Sequence, residues 1–261
     1  MKILILGHRG MLGNALARYL SNIDGCETLT LTSRYPDPSF VQEIKNSNPD
    51  FIVNCIGAIP QKKPSAEEYK LLNEDLPKQL DTIGIPVIHP STDCEFAGDL
   101  PVGQAYDRDH KRDAVDEYGQ SKARISLWVE EEAKNTKIIR TSILGHELSS
   151  TFSLLDWFLS QNTTVNGYTD QYWNGITTLE WAKQCLNVIR NWGKAKHLTQ
   201  FATPNCVSKY DLLKIFAEVY EKNVEIRPTL SGKQSNKCLT SDTALSPINE
   251  QLFELKTFYG K

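Results

Sequence analysis

Tyr118 and Lys122 form a Y-x-x-x-K pattern, in which a phenol and an ammonium group stand four residues apart. On a helix this spacing puts both side chains on one face. A nearby lysine cation favours the phenolate and lowers the pKa of the phenol from its usual value of about 10. Such a tyrosine can give a proton to an alkoxide or remove one from an alcohol. The pair therefore predicts acid–base chemistry on an alcohol or a carbonyl compound.

A second candidate group is Thr92, which lies in the sequence PSTD directly after the apolar segment 85–89. We interpret this segment as a strand, so Thr92 lies at its carboxyl end, where ligands bind in open α/β sheets. A threonine hydroxyl in that position can hydrogen-bond a substrate carbonyl. A Y-x-x-x-K pattern by itself is more often structural than catalytic, and Thr92 is the second site that favours a catalytic interpretation. The alternative for Thr92 is an ordinary turn rich in Ser and Thr.

Residues 7–13 read GHRGMLG, a G-x-x-G-x-x-G pattern between an apolar segment, 2–6, and an amphipathic segment, 11–20. Glycines allow a tight turn and let a pyrophosphate approach the helix N-terminus, where free N–H groups and the helix dipole bind anions. The pattern predicts a dinucleotide site. Its candidate contact residues are Gly7, Arg9, Gly10, Met11, Leu12 and Gly13.

The expected cofactor depends on the segment after the second predicted strand. NAD sites usually place Asp or Glu about 20 residues beyond the glycines. Here Ser33 and Arg34 occupy that segment, and Asp37 is the nearest candidate acid. Guanidinium groups bind phosphate through paired hydrogen bonds, so Arg34, with Arg9 and Ser33, favours NADPH over NADH. The alternative is that both arginines are solvated surface charges.

Strands and helices alternate regularly up to Gly145. Apolar strands without alternation indicate a parallel sheet that is covered on both faces. We predict an α/β fold with a doubly wound, Rossmann-type parallel sheet in a dinucleotide-binding domain, 1–145. Residues 146–261 are expected to form a smaller, mostly substrate-binding annex, although later segments can add to the sheet. The predicted strands are 2–6, 27–32, 51–56, 85–89 and 137–141, and the predicted helices are 11–20, 40–44, 65–80, 114–133, 151–159, 178–190 and 208–220.

Composition excludes several classes of protein. The chain has 261 residues, of which 40% are hydrophobic and 23% charged, so a disordered chain is excluded. A net charge of −3 argues against binding to nucleic acids or anionic membranes. No apolar run approaches the ~20 residues of a membrane span, and we expect a soluble cytoplasmic protein. The six scattered cysteines fit reduced thiols, and no histidines stand at metal-binding spacing.

Together these residues resemble the extended short-chain dehydrogenase/reductases, and among them the sugar-nucleotide reductases of the dTDP-4-dehydrorhamnose reductase (RmlD) type. The likeness extends over most of the chain. The glycine loop also resembles that of GDP-L-fucose synthases, which are NADPH enzymes. The segments that carry the likeness are 7–13, 53–57 (VNCIG), Asn73, 91–98 (STDCEFAG), 106–107, 118–122 (YGQSK), 139–145 (IRTSILG) and 236–242 (NKCLTSD).

The resemblance implies a role for each matching residue. Thr92, Tyr118 and Lys122 match the catalytic triad, and Asn73 matches the asparagine that supports the lysine through backbone and water. Tyr118 and Lys122 also border the cofactor. The segment that passes under the cofactor ribose is matched by Cys55, Ile56 and Gly57. Expected residues on the substrate side are Asp93, Cys94, Ser142, Ile143, Trp173 and Asn174.

The resemblance therefore implies NADPH-dependent reduction of a 4-keto sugar nucleotide, for a surface polysaccharide, by a chain that can form a homodimer through helix 114–133. Departures from the family fall on the substrate side: Cys94 replaces a usual aromatic residue, and Ile143 replaces a frequent tryptophan. After Lys122 the sequence has Arg-Ile-Ser in place of a small residue, Gly and Glu. The sugar and the nucleotide base are not predicted.

Two alternatives stay open. One is an epimerase or dehydratase that retains its NAD(P). Dehydratases of this superfamily tend to carry Asp-Glu after the Ser/Thr, whereas Thr92 is followed by Asp-Cys-Glu, which favours a reductase. The other is a non-catalytic NADP-binding protein on the same fold. Such a protein has no need to keep Thr92, Tyr118 and Lys122 together.

Overall fold

The structure, a computed structural model, describes all residues from 1 to 261. No helix in it combines the length and the apolar character that crossing a membrane requires. The strands are β1 Lys2–Leu6, β2 Glu27–Leu29, β3 Phe51–Asn54, β4 Val87–Ser91, β5 Thr136–Arg140, β6 Ile143–Leu144, β7 Val165–Tyr168, β8 Gln171–Trp173, β9 Ile176–Thr177, β10 Leu198–Gln200, β11 Val207–Ser208, β12 Ile226–Thr229 and β13 Ser235–Asn236. The α-helices are α1 Met11–Leu20, α2 Phe40–Ser47, α3 Ala66–Lys70, α4 Leu76–Asp81, α5 Glu117–Glu131, α6 Leu154–Ser160, α7 Thr178–Arg190, α8 Lys209–Val219 and α9 Ile248–Tyr259.

The main sheet has six strands in the order β10-β5-β4-β3-β1-β2, all paired in parallel. Alternate residues of β1 point into two different cores. Ile3 and Ile5 pack with α1 and α7, whereas Leu4 and Leu6 pack with α2 and α4. Because both faces are buried, every core position of the strand is apolar. The predicted doubly wound parallel sheet is confirmed.

The second half of the chain builds a smaller region from short sheets and three helices. Its strands pair as β11-β8-β13, β12-β7 and β6-β9, and its apolar core includes side chains from α6, α8 and α9. Two later elements return to the main sheet: β10 pairs with β5, and α7 packs with α1. The boundary at residue 145 stays a prediction, and the main sheet extends beyond it in sequence.

Strand β2 is shorter than predicted. It ends at Leu29, whereas the alternating sequence extends to Thr32. The side chain of Glu43 accepts hydrogen bonds from the backbone N–H groups of Thr32 and Ser33, so these groups are not available to continue the ladder. A side chain on α2 thus ends the strand.

Helices also differ from their predicted bounds: α2 extends to Ser47 beyond the predicted 40–44, and α6 spans Leu154–Ser160 instead of 151–159. Two further differences have a local cause. The segment 65–80 is divided by a π-helical stretch, Leu71–Asp75, and Pro77 lies in the first turn of α4, where a missing N–H costs little. The helix expected from residue 114 begins only at Glu117. Asp116 is its N-cap and accepts a hydrogen bond from Gly119 N at 2.7 Å.

The expectation of six reduced cysteines is wrong for two of them. Cys206 and Cys238 form a disulfide across a Cα–Cα distance of 5.9 Å. Cys206 directly precedes β11 and Cys238 lies two residues after β13, and both strands pair with β8. The pairing brings together two cysteines that are 32 residues apart in sequence. Spacing in the sequence gives no sign of this contact.

Candidate active site

Thr92 lies directly after β4, where the sequence predicts it. The next three residues form a single 3-10 turn, Asp93–Glu95, and Thr92 caps this turn. The Thr92 hydroxyl donates to Asp93 Oδ1 at 2.9 Å and accepts from Cys94 N at 3.2 Å. The two hydrogen bonds hold Thr92, Asp93 and Cys94 together at the carboxyl edge of the sheet.

Helix α5 brings Tyr118 against this turn because Gly119 has no side chain. A Cβ at Gly119 would lie 2.1 Å from the carbonyl oxygen of Cys94, which no other residue could tolerate. The close approach places Tyr118, in the first turn of α5, beside Thr92 and Cys94. Lys122 follows one helical turn later and is buried. The structure thus brings the three predicted catalytic residues together.

The pKa of Tyr118 moves in the direction opposite to the one that its spacing from Lys122 suggests. Burial raises it well above 10, and the charges of Cys94 and Asp93 raise it further, while a hydrogen bond with Thr92 opposes the increase. Lys122 is directed elsewhere: its Nζ donates to the carbonyl oxygen of Pro90 at 3.1 Å. A phenol with a raised pKa is protonated at neutral pH and so carries the proton that a reduction consumes, but burial makes it a weaker acid than a free phenol.

His89 on β4 supports Lys122, a contact that the sequence did not reveal. Its Nε2 lies 3.3 Å from Lys122 Nζ, and its Nδ1 lies 3.0 Å from the side-chain nitrogen of Asn54. Burial, together with the Lys122 charge, keeps the pKa of His89 well below its usual value. Burial also lowers the pKa of Lys122 to about 8, although Glu95 opposes this shift. At pH 7 the amine therefore keeps most of its charge.

Asn73 holds the backbone near Lys122 without contacting the amine. Its Oδ1 accepts from Ala58 N at 2.9 Å, and its Nδ2 donates to Ser121 Oγ at 3.0 Å. The bond to Ser121 connects the π-helical stretch to α5. A Cβ on Gly57 would lie 3.2 Å from Asn73 Oδ1 and 3.8 Å from Lys122 Nζ. The segment Cys55–Gly57 thus passes directly beside both residues.

A buried ionic cluster centred on Glu95 holds the turn Asp93–Glu95 in place. Glu95 Oε2 accepts from Arg140 at 2.7 Å and from Arg112 at 2.8 Å, and Oε1 accepts from Ser126 at 2.5 Å. Glu95 and Arg140 are fully buried. No local sequence pattern predicts this cluster, because its members lie far apart along the chain.

Glu95→Ala is expected to lower the free energy of unfolding by about 3–5 kcal/mol, because it leaves the buried guanidinium of Arg140 without a counter-ion. The matched control is Glu130→Ala, which removes the more exposed carboxylate that pairs with Arg112. An exposed pair contributes about 1 kcal/mol or less. Urea unfolding of both variants measures the difference, and equal losses would contradict a central role for Glu95.

The glycine loop has the geometry of an anion site at a helix N-terminus. Gly7 has φ +76°, and a Cβ there would lie 2.9 Å from the Cys55 carbonyl oxygen. A Cβ on Gly13 would lie 2.4 Å from Gly7 O, so α1 packs on the loop only through glycine. Gly10 is the N-cap and offers no capping side chain, and no acidic residue lies in the first turn, which begins with Met11 and Leu12. The first N–H groups of α1 are free to bind an anion.

In the segment after β2 the structure reveals an acid that the sequence did not identify. Glu43 Oε1 accepts from Thr32 N at 2.9 Å, and Oε2 accepts from Ser33 N at 3.0 Å. Hydrogen bonds from Ser33 and from the backbone lower the pKa of Glu43 to about 2. Asp37, the candidate acid, instead accepts from Ser39. Glu43 was missed because it lies on α2 and not at the end of β2.

The two predicted phosphate-binding arginines lie at the surface. Arg9 and Arg34 are exposed and form no ion pair with any carboxylate. Guanidinium groups without an acidic partner are free to bind an added phosphate. Arg34 directly follows Ser33, whose backbone N–H already donates to Glu43. Any phosphate selectivity there depends on the arginine side chains.

The predicted substrate-side residues divide into two groups. Trp173 Nε1 donates to Ser142 Oγ at 2.6 Å, and Ile143 pairs with Ile176 between β6 and β9. These residues form a wall opposite the turn at Asp93 and Cys94. Asn174 is different, because backbone groups satisfy its side-chain amide. Its Nδ2 donates to Thr203 O and Leu239 O, and its Oδ1 accepts from Leu239 N. Asn174 therefore holds two loops together.

Comparison with known proteins agrees with this geometry. A curated dTDP-4-dehydrorhamnose reductase from Sinorhizobium fredii is 30% identical over 152 residues, which is 54% of this chain and 50% of that protein. The chain thus aligns with about half the length of this relative. A dTDP-4-dehydrorhamnose reductase from Clostridium acetobutylicum superposes over 100% of both chains with a TM-score of 0.84 and 18% identity.

A second solved structure, a dTDP-4-dehydrorhamnose reductase from Bacillus anthracis in complex with NADP, also has a TM-score of 0.84. It is 15% identical and covers 98% of both chains. At such low identity the two structures establish the shared fold. The family described as the RmlD substrate binding domain matches residues 1–244, almost the whole chain. This match shows that the chain belongs to the RmlD substrate binding domain family.

Proposed function

We propose that this chain is an NAD(P)-dependent oxidoreductase that uses NADPH to reduce a 4-keto sugar nucleotide. The name of its relatives, dTDP-4-dehydrorhamnose reductase, supports this proposal. The observation that carries the proposal is the convergence of Thr92, Tyr118 and Lys122 at one edge of the sheet, next to the open glycine loop. A reductase needs a carbonyl-binding hydroxyl, a proton donor and a cofactor site in contact with each other. These residues supply all three.

The residues around the glycine loop fit a dinucleotide. A Cβ at Gly7 or Gly13 would collide with the neighbouring backbone, whereas Gly10 leaves the N-terminus of α1 accessible. When bound, NADPH would supply the hydride for the reduction. Gly7–Gly13 would hold its pyrophosphate, and the segment Cys55–Gly57 would pass under the ribose next to Lys122. Lys122 would orient that ribose through its ammonium group.

The proton in this scheme comes from Tyr118. Negative charge develops on the carbonyl oxygen during reduction, and a positioned acid must neutralise it. Burial keeps Tyr118 protonated, and its neighbour Thr92 would hydrogen-bond the same oxygen. Asp93 and Cys94 would border the sugar, with Trp173, Ser142 and Ile143 on the opposite wall. Asn73 and His89 would hold the segments from which Lys122 reaches the cofactor.

NADPH is expected to bind more tightly than NADH, and Arg34→Ala is expected to reduce that preference by about 10- to 100-fold. Each charge-assisted hydrogen bond to a phosphate contributes about 1.5–3 kcal/mol. Arg34 matters because Glu43 already occupies the N–H groups of Thr32 and Ser33. Calorimetric titration of both cofactors measures the preference.

The matched control for this measurement is Arg190→Ala, which removes an exposed arginine at the end of α7. It is expected to leave both affinities unchanged. Equal affinity of the wild-type protein for the two cofactors would exclude phosphate recognition. An unchanged preference in Arg34→Ala would remove Arg34 from the proposed site.

The proposed function is tested by following NADPH oxidation against a panel of 4-keto nucleotide sugars, including dTDP-4-dehydrorhamnose. The expected result is stoichiometric oxidation of NADPH with one member of the panel. A product formed without net NADPH oxidation would instead favour an epimerase or dehydratase. NADPH binding with no turnover of any member would favour a non-catalytic protein on this fold.

The proposal extends to where the protein acts and how it assembles. We place it in the cytoplasm, as an enzyme that prepares sugar nucleotides for a surface polysaccharide. We also propose a homodimer in which α5 supplies the contact. Leu127 on α5 supports this assembly, because 42% of this apolar side chain is exposed. The buried face of α5 carries Lys122, so a contact through Leu127 leaves the site accessible.

A further inference from the structure

Two buried side chains, Asn54 and His89, connect Lys122 to the backbone of Ile56. Asn54 ends β3 and His89 lies in β4, and both residues are fully buried. Asn54 Oδ1 accepts from Ile56 N at 3.0 Å, and Asn54 Nδ2 lies 3.0 Å from His89 Nδ1. The other ring nitrogen, Nε2, lies 3.3 Å from Lys122 Nζ. The contacts therefore run without interruption from a backbone N–H to the amine of Lys122.

The backbone N–H of Ile56 fixes the direction of the hydrogen bonds in this chain of contacts. A backbone N–H can only donate, so it must meet the side-chain oxygen of Asn54 and not the nitrogen. The amide nitrogen of Asn54 then donates to His89 Nδ1, which must carry no proton. A neutral imidazole has one N–H, and in His89 it therefore lies on Nε2, the nitrogen that faces Lys122. The reverse orientation of the amide would place two buried N–H donors against each other.

An N–H on Nε2 of His89 distinguishes between the two protonation states of Lys122. Burial and the charge of Lys122 both keep the pKa of His89 well below its usual value, so the ring is neutral at pH 7. The free amine of Lys122 has a lone pair that can accept from Nε2–H. The ammonium form has no lone pair and would meet Nε2–H with another N–H. The contact at 3.3 Å therefore favours the free amine.

The other groups of the chain around Lys122 give the ammonium form limited support. Pro90 O accepts from Nζ at 3.1 Å, and a free amine can donate to it as well. Glu95 is the carboxylate whose charge favours the ammonium form, but its Oε2 already accepts from two arginines. Tyr118, one turn earlier on α5, is a protonated phenol. His89 is thus positioned to decide which form of Lys122 is favoured.

We propose that His89 is a positioning residue for Lys122, whose free amine it stabilises over the ammonium form, so that a proton from solvent joins Nζ when NADPH binds. The proton uptake rests on the proposed function, because that function puts the ribose of NADPH beside Lys122. Ribose oxygens accept hydrogen bonds and the phosphates are anionic, so NADPH favours the ammonium form. The tautomer of His89 depends on the chain alone.

The tautomer is tested by ¹⁵N NMR of protein labelled at histidine, without added NADPH. The ¹⁵N shift separates a protonated ring nitrogen from an unprotonated one. The signals of His89 are assigned by their absence from the spectrum of His89→Gln. We expect Nε2 to carry the proton and Nδ1 to carry none. A proton on Nδ1 with none on Nε2 would overturn the proposal.

The effect on Lys122 is tested by NMR titration of its Cε, labelled with ¹³C and assigned with Lys122→Met. His89→Gln can turn an amide oxygen toward Nζ, and Asn54→Asp lets Nδ1 of His89 carry the proton. Each change is expected to raise the pKa of Lys122 from about 8 toward the ordinary lysine value, lowering its acid dissociation constant by about 10-fold or more. His197→Gln, at an exposed histidine, should leave it unchanged.

Thermal unfolding of each variant checks that the protein is intact. Acid dissociation constants within twofold of the wild-type value in both His89→Gln and Asn54→Asp would contradict a role for His89. A reversed tautomer in Asn54→Asp, together with a raised pKa of Lys122, would support it, because a purely structural contact has no reason to change both.

Proton uptake is measured by calorimetry of NADPH binding at about pH 8 in buffers of different ionisation enthalpy. Because the pKa of Lys122 is about 8, we expect uptake of about half a proton at this pH. The uptake should decrease in His89→Gln, disappear in Lys122→Met and persist in His197→Gln. Binding of NADPH to the wild-type protein without uptake would refute the coupling. Failure of NADPH to bind at all would contradict the proposed function, while the two NMR experiments would still decide the role of His89.

Discussion

Tyr118→Phe is expected to fold, to bind NADPH normally and to lose about 10²–10⁴-fold in kcat. The substitution keeps the ring and its packing against Tyr69, whose ring centre lies 6.0 Å away, and deletes only the hydroxyl. Without it, the oxygen that becomes negative during reduction has no positioned acid. Steady-state kinetics on the substrate identified by NADPH oxidation measures the loss.

Tyr69→Phe is the matched control for this experiment. Tyr69 is also a buried tyrosine beside the site, but it lies on α3 and not in the Y-x-x-x-K pattern. Its phenylalanine variant should keep kcat close to the wild-type value. A folded Tyr118→Phe protein with kcat within threefold of wild type would refute the assignment of Tyr118 as the proton donor.

Lys122→Met is expected to reduce kcat to a similar extent and, unlike Tyr118→Phe, to weaken NADPH binding. Lys122 Nζ lies against His89 and the carbonyl of Pro90, close to where a Cβ of Gly57 would stand. This position borders the segment that the family resemblance places under the cofactor ribose. Removing the ammonium group would therefore remove the hydrogen bond to the cofactor ribose that we propose for Lys122. Calorimetry and kinetics together separate the two effects.

The control for Lys122 is Lys134→Met, an exposed lysine beyond the end of α5. This variant should match the wild-type protein in both measurements. Because methionine fills the space of the lysine stem, Lys122→Met is expected to keep the fold, and thermal unfolding checks this. Unchanged NADPH affinity in Lys122→Met would mean that the amine acts on the reaction alone and does not hold the ribose.

Local patterns predicted the parts of this molecule that depend on neighbours in sequence. The apolar segment 2–6, the glycine loop and the helix that follows are encoded in adjacent residues, and all lie as expected. The predicted helix 208–220 is also present as α8, and Ser208 caps it by accepting a hydrogen bond from Asp211 N. The proximity of the three proposed catalytic residues could be predicted for the same reason. Tyr118 and Lys122 belong to one motif, and a threonine at a strand end must lie at the edge of the sheet.

Contacts between distant segments could not be predicted in this way. Glu43 reaches the end of β2 from α2, and Glu95 pairs with Arg140, which is 45 residues away. Only the fold brings these groups together. The predicted direction of the pKa shift of Tyr118 was wrong, because burial raises this pKa. The spacing of Tyr118 and Lys122 shows only that they are neighbours on a helix. How deeply Tyr118 is buried depends on other segments of the chain that pack around it. Electrostatic environment is therefore a property of the tertiary structure.

The proposed reaction transfers hydride from NADPH to the ketone carbon of the substrate, while Tyr118 gives a proton to the ketone oxygen. It is tested most directly with NADPH deuterated at C4 of the nicotinamide, using the 4-keto nucleotide sugar and mass spectrometry of the product. We expect one deuterium on the new carbinol carbon and one NADP⁺ released for each product molecule formed. With Tyr118→Phe we expect almost no deuterated product and almost no released NADP⁺. A product without deuterium, or turnover without release of NADP⁺, would contradict it.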